Sequence, residues 1–158
     1  WSYDEILKYF KKAEHNETFD DEFHGQGGPL NVSKIRHENK PTKDFVEAGS
    51  KLYKENEDFN GGEQEGIGFY QTTQKNGKRC STAKAYLVPA LDRPNLTVIT
   101  EANVNKILID NNKASGVEYI DAEGESHIIS ASKEVLLCSG AFGSPQIVEI
   151  GGRTKRRN

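Results

Sequence analysis

Residues 133–147 read Lys-Glu-Val-Leu-Leu-Cys-Ser-Gly-Ala-Phe-Gly-Ser-Pro-Gln-Ile, and no other stretch limits the fold so strongly. Val135, Leu136, Leu137 and Cys138 form an apolar run long enough for a buried strand and too short for a helix. Small residues follow at once: Ser139, Gly140, Ala141 and Gly143. Ser144-Pro145 then supplies a capping hydroxyl and a proline at the first helical position, where its missing N–H costs nothing. The order predicts a strand buried on both faces, a tight small-residue turn and a helix that starts at Pro145. Such a turn brings backbone N–H groups close to a bound phosphate. It also serves as plain architecture, and the stretch alone leaves both readings open.

The first ninety residues mix helix, loop and strand signals. Ile6, Leu7, Tyr9, Phe10 and Ala13 share one helical stripe, with Asp4 and Glu5 in the first turn, so residues 3–14 predict a helix buried along that stripe. A polar, glycine-bearing loop runs from His15 to Pro29. Residues 30–35 alternate apolar and polar, which predicts a strand with its apolar side inward. Thr42 is placed to cap a helix through about Glu55 that buries Phe45, Val46, Ala48, Leu52 and Tyr53. Residues 66–73 read as a strand, and Asn76-Gly77 as a type I′ hairpin turn. Ser81 is placed to cap a short helix that ends before Pro89.

The rhythm then changes near residues 91–94. Residues 96–100, 104–110, 116–121 and 127–131 are four short strand candidates separated by turns, and 135–138 is a fifth. The fold class is therefore α+β, with a mixed part over residues 1–90 and a β-rich part over 91–150. No repeat or low-complexity segment interrupts either.

The 158-residue chain is 34% hydrophobic and 28% charged, with a mean hydropathy of -0.75. That is lean for a globule, yet seven Phe and six Tyr argue against disorder. A net charge of -3 gives no electrostatic case for nucleic acid. No apolar run approaches the roughly 20 residues of a membrane span, and with Trp1 first no targeting signal can be read. Cys80 and Cys138 suit free core thiols better than a disulfide framework, and no Cys or His spacing suggests a metal. Lys78 and Arg79 before Ser81 suit a solvated hairpin end better than an anion site. The tail from Gly151 to Asn158 is basic and abrupt, read as a solvated run and as a frame change, truncation or engineered end.

Gly140-Ala141-Phe142-Gly143-Ser144-Pro145-Gln146-Ile147-Val148 resembles the second signature of the glucose–methanol–choline (GMC) oxidoreductases, FAD-dependent enzymes that oxidise alcohols. The family motif continues with Ser-Gly-aliphatic-Gly, and this chain departs from it at Gly151 and Arg153. Upstream blocks follow in the family's order. They include Trp1-Ser2-Tyr3-Asp4, His24-Gly25 with Gly28-Pro29-Leu30, Asn76-Gly77-Lys78-Arg79, Arg93-Pro94-Asn95-Leu96 and Ala114-Ser115-Gly116-Val117-Glu118-Tyr119. The resemblance spans about residues 1–150. The blocks at 63–71 and 76–79 look closest to bacterial alcohol and choline dehydrogenases.

The resemblance implies a two-domain GMC-type fold, with residues 91–150 in the FAD-binding domain and 1–90 mainly on the substrate side. It implies that a strand position matching Val104 offers its backbone to the adenine edge of FAD, the alternative being a core valine. It places Ser139, Gly140 and Ala141 beside the cofactor, where small side chains let the backbone approach a bulky ligand. It implies a small-molecule alcohol substrate, an electron acceptor it does not identify, and a cytoplasmic enzyme.

Two family parts are missing from this sequence. The nearest look-alike of the dinucleotide fingerprint G-x-G-x-x-G, Gly25 to Leu30, has Leu30 at its third glycine and no strand before it. His15, His24, His37 and His127 do not match the family's catalytic pair, so no catalytic residue is assigned. The rival reading is a non-catalytic β-rich binding module or an inactive remnant.

Overall fold

The computed structural model describes residues 1–151, so the basic tail beyond Gly151 lies outside the described residues. The chain forms two compact units, Trp1–Leu96 and Thr97–Asn158. The first opens with α1 (Tyr3–Ala13), whose end is fixed by Glu5. Its Oε2 accepts from Ser2 N–H at 3.0 Å and from the terminal ammonium at 2.8 Å. Those bonds hold the Glu5 carboxyl below its usual range. The stripe expected to be buried is not: Tyr9 and Phe10 are 62% and 67% exposed. Only the C-terminal end of the helix meets the strand that follows it.

That strand, β1 (Glu14–Asn16), pairs in parallel with β2 (Leu30–Val32), placing His15 opposite Asn31. Its polar residues gave no strand signal. Side-chain bonds set it instead, since Asn16 Oδ1 accepts from Thr18 and Phe19 N–H at 2.9 and 3.0 Å. β2 faces opposite to expectation. Asn31 and Ser33 are buried at 2% and 6% exposure, while Leu30 and Val32 are half-buried. The inversion is tolerated because both Asn31 amide protons are bonded, to Gln74 O at 2.7 Å and Glu17 Oε1 at 2.8 Å.

The second helix, α2 (Lys40–Ser50), starts and stops earlier than expected. Asn39, not Thr42, is the cap, its Oδ1 accepting from Thr42 N–H at 3.0 Å with Pro41 in the first turn. Leu52 and Tyr53 N–H both turn back to Gly49 O, which ends the helix, and Phe45, Leu52 and Tyr53 stay exposed. Residues 66–73 form no strand. They make isolated bridges only, Ile67 to Glu55 and Thr72 to Ser33. The Asn76-Gly77 hairpin is present, with φ of 52° and 73° linking β3 (Gln74–Lys75) to β4 (Lys78–Arg79). Ser81 accepts at its carbonyl from Ala85 N–H at 2.9 Å, starting a π-helical turn over Ala83–Leu87. That turn ends at Leu87, before Pro89 as expected, and Pro89 follows in a 3₁₀ turn, Val88–Ala90, at a position that needs no N–H.

In the second unit, β5 (Asn103–Asp110), β6 (Lys113–Ile120) and β7 (Ser126–Ser130) make one antiparallel sheet in that order. Asn111 and Asn112, at φ 48° and 63°, close the first hairpin. Asp121 organises the second: Oδ1 accepts from Glu123 and Glu125 N–H, and Oδ2 meets His127 Nε2 at 2.6 Å. These bonds, His127 foremost, hold the Asp121 carboxyl below its usual range.

Two expected strands are absent. Residues 96–100 and 135–138 belong to no strand or helix, and Leu136 is 77% exposed. A β-strand is defined by its hydrogen-bonded neighbour, and none of the described strands pairs with either run. α3 (Gly140–Gly151) begins at Gly140, so Pro145 lies inside the helix and not at its start. The proline leaves the Ala141 carbonyl without its helical donor, a loss confined to one bond near the end. Among the described residues, Cys80 and Ala85 are the most buried apolar side chains, each 8% exposed. Cys80 is thus the core thiol expected, while Cys138 is exposed.

Candidate functional site beside the edge strand

The sheet order leaves β5 at an edge. β6 pairs with it on one side, and no described strand lies on the other. Along such an edge, alternate residues turn their N–H and C=O outward, unmatched. α3 packs against β5, and between them lies a cleft of about 450 Å³. Val104 and Asn105 line it from the strand, Ser139 from the turn, and Gly143, Gln146 and Ile147 from the helix. The fold thus brings Val104 and Ser139 to one cavity.

Gly140 and Ala141 form the first residues of α3 without lining the cleft. Gly140 has φ +79°, the left-handed region that favours glycine, and a Cβ there would meet nothing within 4 Å. At Gly143 a Cβ would come 3.0 Å from Ser139 Cβ, so the turn stays narrow only if both residues are small.

The strand carries an irregularity at this point. Val104 pairs with Tyr119 and Lys106 with Glu118, which leaves Asn105 as an extra residue, a β-bulge. In a regular strand, residues 105 and 106 would point to opposite faces. Here both reach one carboxylate. Asn105 Nδ2 donates to Glu118 Oε1 at 2.7 Å, and Lys106 Nζ meets Glu118 Oε2 at 2.9 Å. The Lys106 and Asn105 bonds hold the Glu118 carboxyl below its usual range.

Three histidines lie elsewhere in bonded positions, and the fourth, His37, is exposed. His24 is 3% exposed, its Nδ1 2.8 Å from Asp21 Oδ1 and its Nε2 3.5 Å from Asp58 Oδ1. Burial pushes the Asp21 carboxyl up, but the His24 and Phe23 bonds outweigh it and leave the carboxyl low. Donor atoms of Asp21, His24 and Asp58 fall within 4.8 Å of one another, a grouping the sequence hid because Asp58 comes from a distant loop. His15 Nδ1 accepts from Gly27 N–H at 3.0 Å, and His127 is held by Asp121. Lys78 and Arg79 are exposed at the hairpin end. No helix among the described residues is long and apolar enough to cross a membrane.

The cleft suits one portion of a large nucleotide cofactor. It offers a free strand edge at Val104 and Asn105 and a hydroxyl at Ser139, with the start of α3 at Gly140 adjoining it. Its size is within the range of small-molecule sites, at their lower end. Sequence reasoning missed Asn105, Gln146 and Ile147, since only the packing of α3 on β5 places them there.

The chain has relatives among known oxidoreductases. It is 44% identical over 155 residues to an alcohol dehydrogenase [acceptor] of Pseudomonas putida, covering 96% of this chain and 28% of that protein. It is also 44% identical over 158 residues to an oxygen-dependent choline dehydrogenase of Citrobacter koseri, with the same two shares. The chain therefore spans a little over a quarter of these relatives' length. Its structure resembles pyridoxine 4-oxidase from Mesorbium loti, with a TM-score of 0.82 and 31% identity over 94% of this chain and 29% of that one. An FAD-dependent oxidoreductase from Chaetomium thermophilum gives a TM-score of 0.83 at 25% identity, covering 94% of this chain and 28% of that one. A family model described as GMC oxidoreductase matches residues 1–158 from end to end. With its ordered motifs, its small-residue turn and this match along its whole length, the chain belongs to the glucose–methanol–choline oxidoreductases, a family of FAD-dependent enzymes.

Proposed function

We propose that the chain works as part of a longer flavoenzyme that oxidises the CH–OH group of a small alcohol. The observation that carries this reading is the cleft in which Val104 and Ser139, distant in sequence, meet beside the start of α3. The similarity to alcohol and choline dehydrogenases supports the substrate class. When bound, FAD supplies the hydride acceptor, so that loss of a hydride from carbon and a proton from the hydroxyl leaves an aldehyde or ketone.

Within this chain, Val104 would face the adenine edge through its backbone, which is indifferent to side-chain chemistry. Ser139, Gly140 and Ala141 would flank the cofactor where it passes the helix start, with N–H groups directed at negative charge. In this reading residues 91–150 contribute to the FAD-binding domain and 1–90 mainly to the substrate side, with a base supplied from outside the chain and a cytoplasmic location. A direct test adds primary alcohols and choline anaerobically to the flavin-loaded full-length protein. Bleaching of the visible flavin band by one of them is expected. An oxidised flavin untouched by every alcohol would overturn the reading.

A further inference from the structure

We infer that Glu118 is a positioning residue for the cofactor: it clasps the bulge at Asn105 and so decides which backbone groups of β5 face the cleft. The inference rests on reading that cleft as the cofactor site. A bulge does more than bend a strand. One extra residue reverses the alternation that assigns each N–H and C=O to the paired side or the free edge. With the bulge at Asn105, the edge groups before it and after it follow opposite parities. If the extra residue slipped to a neighbouring position, the amides at Val104 would turn from one side to the other. A main-chain contact to an adenine edge would be lost, although no side chain had changed.

The register here is held by side chains, because the ladder itself is interrupted at this point. Glu118 stands opposite Lys106, and its two oxygens take different partners, Asn105 Nδ2 at 2.7 Å and Lys106 Nζ at 2.9 Å. The extra residue and its regular neighbour are thus tied to one carboxylate. Its side chain is only 17% exposed, which limits competition from water. Asn105 itself lines the cleft, so the clasp reaches the cavity through one side chain. The Lys106 pair alone would fix the strand pairing. The Asn105 bond is what singles out the bulged residue.

An amide–carboxylate exchange in the full-length protein tests this, read by FAD and FMN affinity of the apoprotein from flavin fluorescence. Asn105→Asp sets two carboxylates against each other and is expected to weaken FAD by roughly tenfold, the worth of one charge-assisted bond. FMN lacks the adenine, so its affinity should not change. Adding Glu118→Gln restores an amide–carboxylate pair and should return FAD affinity to within about twofold of wild type. Equal FAD affinity in Asn105→Asp and wild type, or no recovery in the double variant, would overturn the clasp. Val104→Pro, which removes the backbone N–H, separates this from the site reading. If Val104→Pro weakens FAD and the exchange does nothing, the site stands and the clasp fails. If Val104→Pro has no effect on FAD, the site reading itself is wrong.

Discussion

Residues 1–158 alone, given FAD, an artificial electron acceptor and a primary alcohol, are expected to show no turnover. General base catalysis contributes roughly 10² to 10⁴ in rate, and correct placement of the reactants contributes more. A base must have a free acceptor within reach of the substrate hydroxyl. His24 is buried between Asp21 and Asp58, and His15 already accepts a backbone N–H. His127 is tied to Asp121 at a hairpin turn, and the exposed His37 does not line the cleft. The cleft residues Val104, Asn105, Ser139 and Gln146 include no group that titrates near neutrality. Steady-state dye reduction is the measurement. A rate that scales with the amount of this polypeptide would show that one of its own residues serves as the base.

Gly25→Ala is expected to destabilise the first unit by about 3 kcal/mol or more, beyond the usual range for overpacking. A Cβ on Gly25 would stand 2.0 Å from the backbone carbonyl oxygen of Lys11, which cannot swing away as a side chain can. The same loop carries Gly25 N–H to Glu14 Oε2 at 2.9 Å and Gly25 O to Asn16 N–H at 3.0 Å. A shift would therefore break bonds that position β1. Total stabilities of about 5–15 kcal/mol leave little margin for such a loss. Gly27→Ala is the control: its Cβ would meet nothing within 4 Å, so only its φ of +78° is penalised, by about 1–2 kcal/mol. Denaturant melts followed by circular dichroism separate the two. Equal losses at both positions would show that the packing of Gly25 on α1 is not what holds the loop.

The local signals were the legible part of this fold. Asn76-Gly77 closed its hairpin because both residues accept positive φ, and the strand rhythm after residue 100 came through as β5, β6 and β7. Both depend on near neighbours alone. What failed depends on a partner. Residues 135–138 are apolar enough for a central strand, yet nothing described pairs with them, and Leu136 stays exposed. The stripe of α1 is only half covered, and α2 ends at Ser50, short of the Leu52 and Tyr53 expected in its stripe. β2 misled in a different way, since alternation fixes which residues share a face but not which face is inside. Asn31 went inward because Glu17 and Gln74 were there to bond it. Val104 and Ser139 were legible only through family motifs, and the bulge that joins them to Asn105 left no mark on the sequence.

The cleft between β5 and α3 is expected to hold part of the flavin nucleotide. Ser139→Trp in the full-length protein places an indole in a space of about 450 Å³ at a residue that is exposed in this chain. The measurement is the ratio of bound flavin to protein after purification, read from the visible and ultraviolet spectrum, with far-ultraviolet circular dichroism as the check on folding. The expected result is a folded variant that has lost nearly all its flavin, beside a wild type that keeps it. A folded Ser139→Trp protein with as much flavin as wild type would contradict the assignment.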